Sequence, residues 1–213
     1  MTTADLLQRL RALLDESQTG YYQDSELYNF LDDSQNYIVT FLLSKMFEKQ
    51  KINPYFVFNC LTPLITGANL DYTDGGISLV SITDMLDSIY AKVQYDDMDD
   101  KLFSTKIDEQ KANEITENTF LNPTVLNPKY YIRGTTMYLL PEPEEAQTRG
   151  VDLFYIKKPQ AITSELTTPD LTDDVHEILI QLAFSYALAK DGRSQDSDAW
   201  HNKALIKLNI YDI

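Results

Sequence analysis

A chain of 213 residues is long enough for one domain, or for a helical domain with an inserted sheet, and can bury a core without disulfide or metal staples. Hydrophobic residues make up 43%, so a folded protein is expected, but 18 Lys and Arg against 33 Asp and Glu give a net charge of −15. With a pI near 4.4, such a surface repels phosphate backbones and anionic membranes, which excludes tight wrapping of DNA unless the few cations are segregated. The single cysteine, Cys60, excludes an intrachain disulfide, and within Val57-Phe58-Asn59-Cys60-Leu61 it reads as an inert buried thiol. The first residues lack the basic patch and apolar run of a signal peptide, and no apolar stretch approaches the roughly 20 residues that span a bilayer. A soluble protein made in a cytoplasm, with no membrane partner, is expected.

Thr2 or Thr3 can cap a first helix to about Leu14, with Leu6, Leu7, Leu10, Leu13 and Leu14 at three-and-four spacing. After Gln18-Thr19-Gly20, Asp24 or Ser25 starts a longer helix to about Lys49. Leu27, Phe30, Leu31, Ile38, Phe41, Leu42 and Met46 lie on its inward side, and Asp32, Asp33, Gln35 and Asn36 opposite. Asn53-Pro54 begins a third, hydrophobic helix that Pro63 shortens. Residues 67–76 read as loop; 77–82 as a short strand or part of a helix; 88–95 as a strand; 106–118 as a polar helix. Lys129-Tyr130-Tyr131-Ile132 and Thr136-Met137-Tyr138-Leu139-Leu140 flank Arg133-Gly134-Thr135 as a hairpin, which Pro141-Glu142-Pro143 stops. Val151, Leu153 and Tyr155 share one face of a third strand, with Asp152, Phe154 and Ile156 on the other, so a three-stranded antiparallel meander is predicted. Leu171-Thr172-Asp173-Asp174 opens a helix that Asp191-Gly192 ends, and a last helix runs from about Ser194.

The fold class expected is therefore mainly α with a small antiparallel β-sheet (α+β), a helical bundle with an inserted β-meander. Residues 1–66 and 170–209 would form the bundle, 67–169 the inserted extended and meander region, and 210–213 a C-terminal tail.

Little in the chain suggests chemistry. Asp96, Asp97, Asp99 and Asp100 cluster as hard-cation ligands do, but an EF-hand loop would need Gly and Glu where Lys101 and Ile107 stand, so a solvated turn is the reading. Asp71 and Asp74 before Gly75-Gly76 carry the same signal more weakly. His176, expected to be exposed, and His201 have no metal-ligand spacing, and no nucleophile elbow, P-loop or dinucleotide fingerprint occurs. No enzyme, cofactor or metal is expected. The 14 tyrosines invite an interface reading, because tyrosine joins a large apolar area to a polar tip. Tyr21, Tyr22, Tyr130 and Tyr131 beside turns, and Ile210, Tyr211 and Ile213 in the tail, are the candidate contacts with neighbouring chains.

The order of signals resembles the head-to-tail connector or adaptor proteins of tailed bacteriophages. The resemblance rests on Asn127-Pro128, Tyr130-Tyr131-Ile132, Gly134, Met137 to Pro143, Val151-Asp152-Leu153-Phe154-Tyr155, Lys157-Lys158-Pro159 and the helix over residues 171–190. It covers residues 120–208 well and 1–65 in architecture only. It implies a structural virion protein at the head–tail junction: a closed ring, usually dodecameric, of copies of itself, between the portal protein and the next tail or ring protein. Genome DNA would pass through without tight binding, a role an electronegative channel suits. The alternative from another class is a monomeric acidic regulator or DNA mimic that binds a basic host protein. A third reading, a metal-dependent enzyme using the Asp96 to Asp100 cluster, would require a tight divalent-cation site.

Overall fold

Thr2 opens the first helix with a capping box: its hydroxyl accepts from the Asp5 amide, and the Asp5 carboxylate accepts from the Thr2 amide. The computed structural model of the protein describes residues 1–15, 21–47, 59–73, 75–95, 100–117, 122–144 and 146–210. In chain order the elements are α1 (Thr3–Leu13), α2 (Asp24–Phe47), a 3-10 turn (Thr62–Leu64), β1 (Ile65–Tyr72), β2 (Ile77–Ser78), β3 (Met85–Val93), β4 (Leu102–Lys106), α3 (Glu109–Glu117), β5 (Lys129–Arg133), β6 (Thr136–Leu140), β7 (Gln147–Lys157), α4 (Asp173–Lys190) and α5 (Ser194–Ile210). They form two compact units, one of residues Met1–Leu64 and Pro159–Ile213, the other of Ile65–Lys158. The third helix expected from Asn53 falls largely outside the described residues; from Asn59 the chain ends in the 3-10 turn that contains Pro63.

In the helical unit, Leu6 and Leu10 of α1 and Leu27, Leu31, Ile38 and Leu42 of α2 are fully buried, as their spacing demands. α4 is buried almost all round from Val175 to Leu188. Gly192, at φ 75°, turns the chain so that α5 returns along it, with the Ser197 hydroxyl donating to Ser185 O at 2.8 Å and Lys207 meeting Glu177 at 2.5 Å. Two polar residues differ from expectation. Gln35, placed by its polarity on the outer side of α2, is buried: its Nε2 donates to Gln160 O at 3.0 Å and its Oε1 accepts from Asp170 N at 3.1 Å. His176, expected exposed, is also buried; its Nε2 donates to Leu171 O at 2.9 Å, while Nδ1 faces Asp173 at 3.0 Å without hydrogen-bond geometry.

The expectation of a mainly α protein, a helical bundle with an inserted small antiparallel meander, is overturned by the second unit. Its seven strands make one mixed sheet in the order β1-β7-β3-β4-β5-β6-β2. β4 and β5 pair in parallel, and α3 lies on the crossover between them, as a parallel pair requires. A bridge from Thr73 to Gly76 brings the end of β1 beside β2, so the two edges of the sheet approach and it curls into a near-barrel. Leu70, Val93, Tyr130, Met137, Val151 and Leu153 help fill the interior.

The misreading has local causes. Gly67-Ala68-Asn69 has little β propensity, yet the ladder from Ile65 opposite Ile156 to Tyr72 opposite Gln147 makes it a strand. The β5–β6 hairpin forms as predicted around Gly134. The third strand does not join it: Pro141 and Pro143 end that ladder, and β7 instead inserts between β1 and β3.

Gly76 sits at φ 114°, where an added Cβ would lie 2.8 Å from Thr136 Cγ2 and 2.9 Å from Met137 O. Gly76→Ala is expected to cost about 2–4 kcal/mol, against about 1 kcal/mol for Gly75→Ala, which has positive φ but open space. Urea unfolding of the two variants checks the difference.

Burial pushes the His176 imidazole below its ordinary 6.5, so the folded state keeps the ring neutral. The unfolded chain takes up that proton first on acidification; stability is therefore full above about pH 6.5 and declines beneath it. His176→Asn should remove the slope that sets in just below about pH 6.5, whatever its overall cost. It should leave the steeper loss at lower pH, where Asp5, Glu26 and Glu177, all lowered by hydrogen-bonded partners, take up protons. Thermal unfolding across pH 4 to 8 reads both.

Candidate assembly surfaces

Along each strand, residues that alternate with the barrel core face outward. On β7, β3 and β4 these include Phe154, Tyr90 and Phe103, which form an aromatic ribbon across three strands. Tyr90 stacks on Phe154 with centroids 4.5 Å apart and meets Phe103 at 5.4 Å. Lys92 Nζ lies 4.9 Å from the Phe103 centroid and 5.8 Å from that of Phe154. Phe103 is 64% exposed, a large apolar face left to solvent by its own chain.

A second cluster lies on the hairpin. Tyr131 and Tyr138, directly opposite each other, stack at 5.1 Å, with the Arg133 guanidinium 5.9 and 5.8 Å from the two rings. Rigid aromatic area with a cation over it is the composition of interface anchors. Lys101 pairs with Asp152, Lys106 with Asp87 and Arg133 with Glu109, so these cations are spread among carboxylates and do not make a phosphate-binding patch.

In the helical unit, Tyr21 is 70% exposed and stands edge-on to Tyr22 at 5.0 Å. Tyr22 is buried and donates its hydroxyl to Ala187 O at 2.8 Å. Lys190 lies 5.6 and 5.0 Å from the two rings and pairs with Glu26; their hydrogen bond raises the lysine pKa and lowers that of the carboxylate. A hollow of about 550 Å³ opens here between Leu14, Tyr21, Phe184 and Arg193.

Of the expected contact residues, Tyr21 and Tyr131 therefore reach the surface. Tyr22 and Tyr130 are occupied in the interior of their own units, and burial pushes the Tyr130 phenol up to about 12. Ile210 is the last residue of α5, and Tyr211 and Ile213 lie outside the described residues. The Tyr90–Phe154–Phe103 ribbon was not foreseen; the alternation in β7 places Phe154 on the outer face, but its neighbours follow only from the strand order. Cys60 is buried with its thiol pushed up to about 11. Among the described residues no group of three His, Cys, Asp or Glu is placed to hold a metal ion. Asp74, Asp96, Asp97 and Asp99 lie outside those residues. No described helix is long and apolar enough to cross a membrane.

Surfaces of this kind, aromatic and cation-capped on a chain of net charge −15, suit a protein that makes contacts with other proteins. The family model described as SU10 adaptor protein matches residues 1–208, and the chain belongs to that family of phage adaptors. It is thereby a component of the virion that associates with other head and tail proteins. None of the curated proteins matches it.

Removing one aromatic ring from the barrel interior and one from its exterior should give opposite results. Tyr130→Ser is expected to cost about 3–5 kcal/mol in urea unfolding. Phe103→Ser should cost under about 1 kcal/mol, because most of that ring is already in water, and should weaken partner binding in a pull-down with phage head or tail proteins.

Proposed function

We propose that the chain is one subunit of a closed ring, dodecameric as in the adaptors it resembles, seated between the portal and the next tail or ring protein. Genome DNA passes through this ring without being gripped, and the chain performs no chemistry of its own. Family membership together with a net charge of −15 carries this reading: an acidic wall repels the phosphate backbone and leaves the duplex free to slide. A ring of identical subunits needs two different faces on each copy. The outward aromatic clusters, Tyr21, Tyr131 and residues 210–213 are proposed as parts of such faces.

Native mass spectrometry of the full chain, alone and mixed with its portal ring, tests the proposal. A ring-sized or portal-bound species is expected, together with DNA affinity no tighter than the roughly 10⁻⁴–10⁻⁶ M of ordinary non-specific binding. A chain that stays single, ignores the portal and captures a basic host protein would be the acidic mimic instead.

A further inference from the structure

One leucine of the helical unit is almost wholly in water. Leu166 is 94% exposed, beside the exposed carboxylate of Glu165. Its loop is held by its own unit: Thr167 N donates to Ser164 O at 3.1 Å, and the Thr3 hydroxyl donates to Thr167 O. A side chain fixed outward in this way leaves its burial free energy unrealised, and the loop has little ordering entropy left to lose when something covers it.

The same unit contains a groove of about 380 Å³ between α1, α4 and α5. Leu13, which is 40% exposed, Ile180 and Trp200 give it apolar walls. Arg9 and Lys203 stand at it, and Lys203 Nζ lies 4.2 Å from the Trp200 ring centroid. Neither cation comes within ion-pair distance of a carboxylate among the described residues; both attract Glu177, whose close partner is Lys207. Gln181 is only 5% exposed; its Nε2 donates to Glu177 Oε1 at 3.2 Å, and its Oε1 is buried with no hydrogen-bond partner.

We propose that a second copy of this chain seats its Glu165-Leu166 step in this groove, so that neighbouring subunits join through their helical units. The proposal rests on the reading of the chain as a ring subunit. The step offers a carboxylate for Arg9 and Lys203 and a leucine for the Leu13, Ile180 and Trp200 walls. Charge complementarity favours a copy of this chain, whose surface is rich in acids, because Arg9 and Lys203 at the groove outnumber its one carboxylate, Glu177, on a molecule of net charge −15. The loop is tied to Thr3 at the start of α1, while Leu13 lies about 15 Å further along that helix. Knob and groove are therefore separate patches on one unit, so the contact can repeat from copy to copy in the heterologous manner that closes into rings.

Trp200 is the only tryptophan in the chain, so its emission reports directly on the groove. In a dilution series of the full-length protein, association should shift that emission to the blue. Leu166→Asp, or Arg9→Glu with Lys203→Glu, should weaken association at least tenfold with the circular dichroism unchanged, and adding Glu165→Lys to the double charge reversal should restore it. If free copies stay single, the contact is read on portal-bound protein. Leu166→Cys and Leu13→Cys copies, mixed and treated with a short bismaleimide, should cross-link as a pair, since native Cys60 is buried. Rings that form normally with Leu166→Asp, with Trp200 unmoved and no such cross-link, would overturn the knob and leave the ring reading standing. Chains that neither associate nor bind the portal would overturn both.

Discussion

Strand β7 carries a hydrogen-bonded ladder on each edge, antiparallel to β1 on one side and to β3 on the other, and the sheet unit is fixed relative to it. Because side chains alternate along a strand, burying Val151, Leu153 and Tyr155 forces Phe154 outward, and a slip of one residue would exchange the two sets. Registry then places Tyr90 opposite Phe154 and Lys92 opposite Phe103. The exterior aromatic ribbon is thus set by the demands of the interior. A surface fixed in this way is rigid before any partner arrives, which lowers the entropy lost on binding.

The helical unit solves a different problem, how to hold an irregular return segment. The chain that leaves the sheet has no ladder for its backbone groups between residues 159 and 172, and buried backbone must be paired. α2 supplies the partners: Gln35 uses both ends of its amide, on Gln160 O and Asp170 N, and Asp32 accepts from Ile162 N at 2.9 Å. Removing Gln35 would orphan two backbone groups at once, so its polarity is structural. The same clamping, continued by Thr3 on Thr167, keeps Leu166 pointing away from its own core.

What the sequence disclosed follows the range of the forces involved. Helix stripes such as Leu6, Leu10, Leu27 and Leu31 were legible because the residues that must share a face are three or four apart. The β5–β6 hairpin was legible because Gly134 and the flanking β-formers are contiguous. β1 was not, since its partners lie from 75 (Tyr72 to Gln147) to 91 (Ile65 to Ile156) positions away and Gly67-Ala68-Asn69 interrupts its apolar residues. The parallel β4–β5 pair depends on the α3 crossover, which carries no local signature of its destination. Polarity misplaced Gln35 and His176, whose hydrogen-bond partners sit in a loop and at a helix start. Among the surfaces, standing beside a turn did not separate Tyr21 from Tyr22, because adjacent residues point to opposite sides and only packing decides which is core.

Net charge also limits how such a chain can assemble. Copies carrying −15 repel one another as well as DNA, but at physiological salt that repulsion fades over about 8 Å, so it acts chiefly when surfaces are nearly in contact. Association must then come from places where the approaching charges are of opposite sign or where apolar area dominates. The described surface offers both: Lys92 over Phe103, Arg133 over Tyr131 and Tyr138, and Lys203 over Trp200 each set a cation against an aromatic face. Elsewhere the acids keep wrong contacts apart. An overall repulsive protein with a few attractive patches gains specificity by this division, because only the matching faces recover more than the charge opposes.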